Sequence, residues 1–208
     1  MRLPDPPLLL ITDRHQARQP LPEVVAEALA AGCRWVSLRE KDLPRAEQVR
    51  LVGQLLPLAR RWSARLSIHG DAAAARATGA DGVHLPAGGD PKAAREQLGD
   101  RALIGLSIHT VIEARALDAT TLDYAIAGPM FATSSKPGYG PTLGCSGLAA
   151  IVRASSVPVI AVGGITAESM AAVRSAGAAG VAVMGGIMRA ADPGEQARRL
   201  LEALTRYP

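Results

Sequence analysis

Two cations spaced two apart, Arg39 and Lys41 in "LREK" (38–41), are the first residues whose placement suggests chemistry. In extended backbone, successive side chains alternate, so these two share a face and Glu40 takes the opposite one. The pair either receives a phosphorylated or carboxylated ligand or joins a salt-bridge network with Glu40. A second signal is the doubled glycine of "VGGIT" and "VMGGIM" (Gly163, Gly164, Gly185 and Gly186). Without side chains the backbone can approach an anion and offer it N–H groups; glycine pairs also make plain tight turns.

Four histidines occur. His109 closes "LSIH" and His69 closes another "LSIH". Imidazole has an unperturbed pKa of about 6.5, suited to proton transfer near neutrality. Each is therefore a candidate acid or base, and each is equally a candidate structural hydrogen-bonding group. Ser107 lies two residues before His109. His84 sits inside an apolar run and His15 in a polar one, and both read as structural. The stretch "MFATSSKPGYGPTLGCSG" (130–147) has no periodicity, yet it clusters Thr133 and Ser135 beside Lys136. Long unstructured connections are uncommon in compact domains. This one reads as a lid over an anion, its alternative being a surface insertion.

These residues need a frame. Short aliphatic runs alternate with Ala/Leu/Arg segments of helical spacing. The expected strands are Leu8–Thr12, Trp35–Glu40, Arg65–His69, Gly82–Leu85, Ala102–Ile108, Tyr124–Gly128, Val157–Gly163 and Gly180–Gly185. Helical patterns such as Leu21–Gly32 and Thr166–Gly177 fall between them and close on glycine. Eight strand–helix units imply a parallel sheet, because each crossover needs a helix. No G-x-G-x-x-G follows the first strand, which disfavours an open dinucleotide-binding sheet. The pattern predicts a single-domain (β/α)8 TIM barrel over residues 1–208. In such barrels the loops after the strands carry the chemistry. Arg39, Lys41, His69, Ser107, His109, Thr133, Ser135, Lys136 and both glycine pairs then converge on one rim.

The bulk numbers agree with that frame. Over 208 residues, 48% are hydrophobic, 20% charged and only 3% aromatic, with a formal net charge of +4. The composition is globular, and so few aromatics argue against base-stacking nucleic-acid binding. The arginines lie mostly in helical segments, as solvated faces do, although the charge still favours an anionic ligand. Cys33 and Cys145 match no metal spacing and read as reduced thiols. The opening "MRLPDPPLLLITD" is a poor signal peptide, and no apolar run is long enough for a membrane span. A cytoplasmic protein without membrane or nucleic-acid partners is expected.

The segments "LITDR", "VSLREKDL", "ATGADGVHL", "IGLSIHT", "DYAIAGPMFATSSKPG", "VPVIAVGGIT" and "GAAGVAVMGGIM" together resemble the thiamine phosphate synthase superfamily along nearly the whole chain. The resemblance implies a (β/α)8 barrel, a homodimer and a phosphorylated thiazole as ligand. The superfamily contains the synthase, which joins a pyrimidine diphosphate to a thiazole phosphate with magnesium. It also contains TenI-type tautomerases, which aromatise a carboxythiazole phosphate without metal. By resemblance, Arg39 and Lys41 are diphosphate- and pyrimidine-side cations. Thr133, Ser135 and Lys136 match the T-x-T-K loop, and Gly164, Met184 and Gly185 hold the thiazole phosphate. Ser107 and His109 match an S-x-H segment whose histidine is the tautomerase acid/base.

The sequence departs from the synthase pattern at four places. Ser37 replaces a glutamine, His69–Gly70 replaces Asn-Asp, and Gly89 replaces the second magnesium aspartate. Magnesium favours carboxylates and waters, and Asp71 and Asp90 each stand one position late. The expectation from these departures is a metal-independent thiazole tautomerase with His109 and His69 as catalytic groups and no cofactor. The alternatives are a magnesium-dependent thiamine phosphate synthase, a non-catalytic thiazole-phosphate-binding regulator, and a Schiff-base enzyme using Lys41 or Lys136.

Overall fold

A computed structural model describes residues 3–133, 135 and 140–207. Eight strands follow one another: β1 (Leu8–Ile11), β2 (Trp35–Leu38), β3 (Arg65–His69), β4 (Gly82–Leu85), β5 (Leu103–Ile108), β6 (Tyr124–Ala127), β7 (Val159–Val162) and β8 (Gly180–Val183). Each pairs in parallel with the next, and β8 pairs with β1 through Leu9↔Ala182, so the sheet closes. The (β/α)8 barrel is therefore as expected. Most strands end earlier than the sequence suggests: β2 stops at Leu38, paired with Ile68, and β8 stops at Val183. Arg39 and Met184 consequently belong to the rim loops.

Outside the strands lie α1 (Leu21–Ala30), α2 (Arg45–Arg61), α3 (Ala72–Thr78), α4 (Pro91–Leu98), α5 (Val111–Arg115), α6 (Gly144–Ala154), α7 (Met170–Ser175), α8 (Gly185–Met188) and α9 (Pro193–Arg206). Several begin where a short polar side chain caps the first turn, satisfying an otherwise orphaned N–H. The Asp71 carboxylate accepts from Ala74 N at 2.7 Å and Asp90 accepts from Ala93 N at 3.0 Å. Thr110 and Glu113 form a reciprocal capping box on α5. No helix among the described residues is long and apolar enough to cross a membrane.

Alternation divides each strand between two cores. Val36, Leu38, Leu66, Ile68, Val83 and Ile104 face the helices, where burial of one such side chain contributes about 1.5–3 kcal/mol. Leu9, Trp35, Leu103, Tyr124 and Ile160 fill the barrel. Trp35 meets Tyr124 edge-on, with ring centroids 4.8 Å apart, a favoured geometry for aromatic quadrupoles. Gly105 makes room for this: a Cβ there would overlap the Tyr124 ring. The aromatic plug floors the barrel, and the residues above it on the same inward face become the walls of a cavity.

Candidate active site

The same alternation that sends Val36 and Leu38 outward sends Ser37, Arg39 and Lys41 toward the barrel axis. On β3 it turns Ser67 and His69 inward, on β4 His84, and on β5 Ser107 with His109 just beyond. At the C-terminal mouth these side chains, Ser67 excepted, line a cavity of about 610 Å³, within the range of small-molecule sites. The cavity also takes in Thr133, Ser135, Gly163, Gly164, Met184, Gly185 and Gly186. Every described site residue expected from sequence is thus brought together. Lys136 lies outside the described residues.

Glu40 resolves the two readings of "LREK". It points away from the cavity and is 2% exposed. Its carboxylate accepts from Thr12 Oγ1 at 2.8 Å and from the Arg14 guanidinium and backbone N–H at 3.1 Å each. Asp42 pairs with Arg14 and His15. No ion pair joins Arg39 or Lys41 to a carboxylate among the described residues. The Lys41 pKa is lowered, first by partial burial of its ammonium and then by the like charge of Arg39. The rim salt bridge exists, but it uses Arg14, and the cavity keeps its two cations.

The histidines differ. His109 Nδ1 lies 2.8 Å from the Gly128 carbonyl, which can only accept, so Nδ1–H donates. Its backbone N–H donates to Glu113 Oε2 at 2.7 Å. Burial pushes the Glu113 carboxyl up, but the donors from His109 and Thr110 outweigh it and hold the pKa low. His84, read from sequence as structural, is buried and places Nε2 2.8 Å from Ser107 Oγ. Burial, then the charges of Lys41 and Arg39, push its pKa down to about 3. His84 also stacks on Tyr124, with centroids 5.6 Å apart, and meets His69 at 5.4 Å. His15 is exposed and belongs to the Asp42 contact outside the cavity.

The glycine turns sit against the loop after β6. That loop continues the ladder beyond the strand, with Met130 N donating to Val162 O at 2.8 Å and Phe131 N to Gly163 O at 3.0 Å. Gly164 has φ +64°, and a Cβ on it would lie 2.5 Å from the Ala132 carbonyl oxygen. At Gly185 a Cβ would instead meet Ser135 Oγ and the Arg189 guanidinium. Arg189 was not apparent from sequence. It donates to Ser135 Oγ at 3.1 Å and to Gln16 Oε1, while Ser135 Oγ donates to Gln16 Oε1 at 3.0 Å. Residues 16, 135 and 189 meet only because β8 closes on β1.

Asp71 and Asp90 do not supply a metal site. Asp71 caps α3 and pairs with Arg45 at 3.3 Å, and Asp90 caps α4. Among the described residues no carboxylate lines the cavity, and no cluster of three His, Cys, Asp or Glu could hold an ion. The side chains present do not fit the oxygen-rich octahedral shell that magnesium demands.

A family model described as thiamine monophosphate synthase matches residues 8–187. The chain belongs to the thiamine monophosphate synthase family. It is 46% identical over 199 residues to the putative thiamine-phosphate synthase of Geobacter sulfurreducens, covering 95% of this chain and 93% of that protein. It is 38% identical to the thiamine-phosphate synthase of Moorella thermoacetica, with 95% of each chain covered. The solved thiamine phosphate pyrophosphorylase of Pyrococcus furiosus superposes with a TM-score of 0.85 at 30% identity over 96% of both chains.

These likenesses correct the expectation of a thiazole tautomerase and isomerase. That expectation rests on the departures at Gly70 and Gly89. The relatives matching over nearly their full length are named for the synthase, and they favour the reading held as an alternative. Replacements at two rim positions do not outweigh a match running through all eight strand–helix units.

Proposed function

We propose that this chain is a thiamine-phosphate synthase, joining a pyrimidine diphosphate to a thiazole phosphate. The observation that carries the reading is a single cavity lined by two separate groups suited to anions. One is the Arg39–Lys41 pair after β2; the other is the pair of glycine turns after β7 and β8, with Arg189 beside them. A transferase with two phosphorylated substrates needs both.

In this reading the thiazole phosphate meets backbone N–H groups at Gly163, Gly164, Met184, Gly185 and Gly186 and the guanidinium of Arg189. The diphosphate end of the other substrate meets Arg39 and Lys41, with Thr133, Ser135 and Lys136 on the loop after β6. His109 lines the same cavity, with its Nδ1 held by the Gly128 carbonyl. The neutral His84 holds Ser107 Oγ at the same wall, and His69 is its neighbour. His109 and His69 thus become binding groups. The ring nitrogen of the thiazole supplies the electron pair for a new C–N bond. The C–O bond of the pyrimidine methylene breaks, and its electron pair leaves with the diphosphate. No proton changes place, so no side chain needs to act as a base. The cations and the cavity contribute by positioning the partners and stabilising the charge that develops on the leaving group. A cytoplasmic homodimer, implied by the family resemblance, is part of the same proposal.

The test is incubation of the purified chain with both substrates, with magnesium and separately with EDTA, and mass-spectrometric detection of thiamine phosphate. Product in either buffer is the expected result. Folded protein that forms none under both conditions overturns the reading.

A further inference from the structure

We infer that this chain binds a diphosphate through its own cations, Arg39 and Lys41, and needs no carboxylate-held divalent ion to do so. The inference rests on the proposed function for the identity of the anion, and on the donor set of the cavity for everything else.

The rim positions where the family resemblance implies metal carboxylates carry other chemistry. His69 ends β3, Gly70 follows it, and Gly89 follows β4. The nearest carboxylates in sequence are committed elsewhere. Asp71 accepts a backbone N–H of α3 and forms an ion pair with Arg45, while Asp90 accepts a backbone N–H of α4. Moving either into the cavity would orphan a helix-end N–H. His69 and His84 remain nearby, but imidazole is a poor partner for a hard ion that prefers oxygen.

The cations show the opposite pattern. Arg39 and Lys41 share the cavity face because Glu40 between them is turned to Thr12 and Arg14. Asp42, the other adjacent carboxylate, is held by Arg14 and His15. Two like charges are therefore crowded at one side of a partly enclosed cavity, with no acidic side chain in its lining. Burial first, and the Arg39 charge second, lower the Lys41 pKa; burial first, and then the charges of Lys41 and Arg39, lower that of His84. An entering polyanion relieves that repulsion. A guanidinium grips phosphate oxygens in a bidentate fork, and an ammonium adds a point charge. Together they supply locally the charge that a metal would otherwise bring.

The experiment is titration calorimetry of the full chain with inorganic diphosphate, in EDTA and in excess magnesium. Binding in EDTA is expected, with magnesium leaving it unchanged or weakening it, since complexed diphosphate presents less charge to the cations. Arg39→Gln and Lys41→Gln should each weaken binding in EDTA by about tenfold or more, the scale of a lost charge-assisted hydrogen bond. Circular dichroism should stay native. Binding seen only with magnesium, or unaltered affinity in the double variant, overturns the inference. Thiamine phosphate formation is followed separately in the same buffers. Its absence beside EDTA-resistant diphosphate binding defeats the proposed function and supports this inference. Its presence beside strictly magnesium-dependent binding does the reverse.

Discussion

His84 and Ser107 face each other across the β4–β5 pair, with Nε2 2.8 Å from Oγ, inside a wall that also holds Tyr124. Burial keeps this imidazole neutral, which makes it a fixed hydrogen-bonding partner and not a titrating one. The unfolded chain takes up the His84 proton near its ordinary value of 6.5, whereas the folded chain does so only near about 3. The unfolded state therefore binds more protons across that window. Stability present above the unfolded pKa is lost as pH falls through it. The melting temperature should decline between those values, and His84→Gln should flatten the decline. Ring-nitrogen NMR should show no His84 titration between about pH 5 and 8, the range where an unperturbed histidine changes charge.

The two glycine turns should respond differently to a methyl group. Gly164→Ala forces a Cβ at φ +64° against a backbone carbonyl, which cannot give way. A loss of about 1–3 kcal/mol is expected, on the scale of strained or overpacked sites. Gly185→Ala meets the ends of Ser135 and Arg189, which can move. It should fold with a nearly wild-type melting temperature, yet raise KM for thiazole phosphate about tenfold or more by filling the anion site. Thermal melts beside steady-state kinetics separate the two.

Arg189→Gln removes a cation while keeping a polar side chain near Gln16 and Ser135. Affinity for thiazole phosphate should fall about tenfold or more, the scale of one or two charge-assisted hydrogen bonds. KM for the pyrimidine diphosphate should stay within about twofold, less than the weight of one ordinary hydrogen bond. Equal weakening toward both substrates would place Arg189 elsewhere in the mechanism.

Glu40→Gln should cost stability before it costs chemistry. The carboxylate is 2% exposed and collects donors from Thr12 and Arg14. Weakening charged, buried hydrogen bonds should destabilise by about 1–3 kcal/mol, lowering the melting temperature by roughly 2–4 °C per kcal/mol in a chain of this size. Differential scanning calorimetry measures this directly.

Much of the site was legible because alternation is a local property. Two-residue alternation, continued past the ends of β2 and β5 into the rim loops, puts Arg39 with Lys41 and Ser107 with His109 on one face. Arg189 was not legible. It follows an apolar "GGIM" and resembles any arginine ending a helical turn. Gln16 is likewise an ordinary polar residue in the loop after β1. Their meeting over Gly185 spans 173 residues. His84 looked structural and is buried, but its contact with Ser107 depends on the register of β4 against β5. The tautomerase expectation is corrected for another reason: two missing carboxylates resemble a switch of reaction, though charge at a rim can come from residues that are not aligned with them.

The amino-acid order alone determined the barrel and much of its rim, though not Arg189 or the place of His84, because strand–helix repetition and two-residue side-chain alternation are set within a few bonds of each residue. Partnership was decided by tertiary structure. That Glu40 serves Arg14, that Asp71 and Asp90 cap helices, and that Arg189 reaches Ser135 and Gln16 depend on barrel closure. Closure brings together groups that the chain itself keeps far apart.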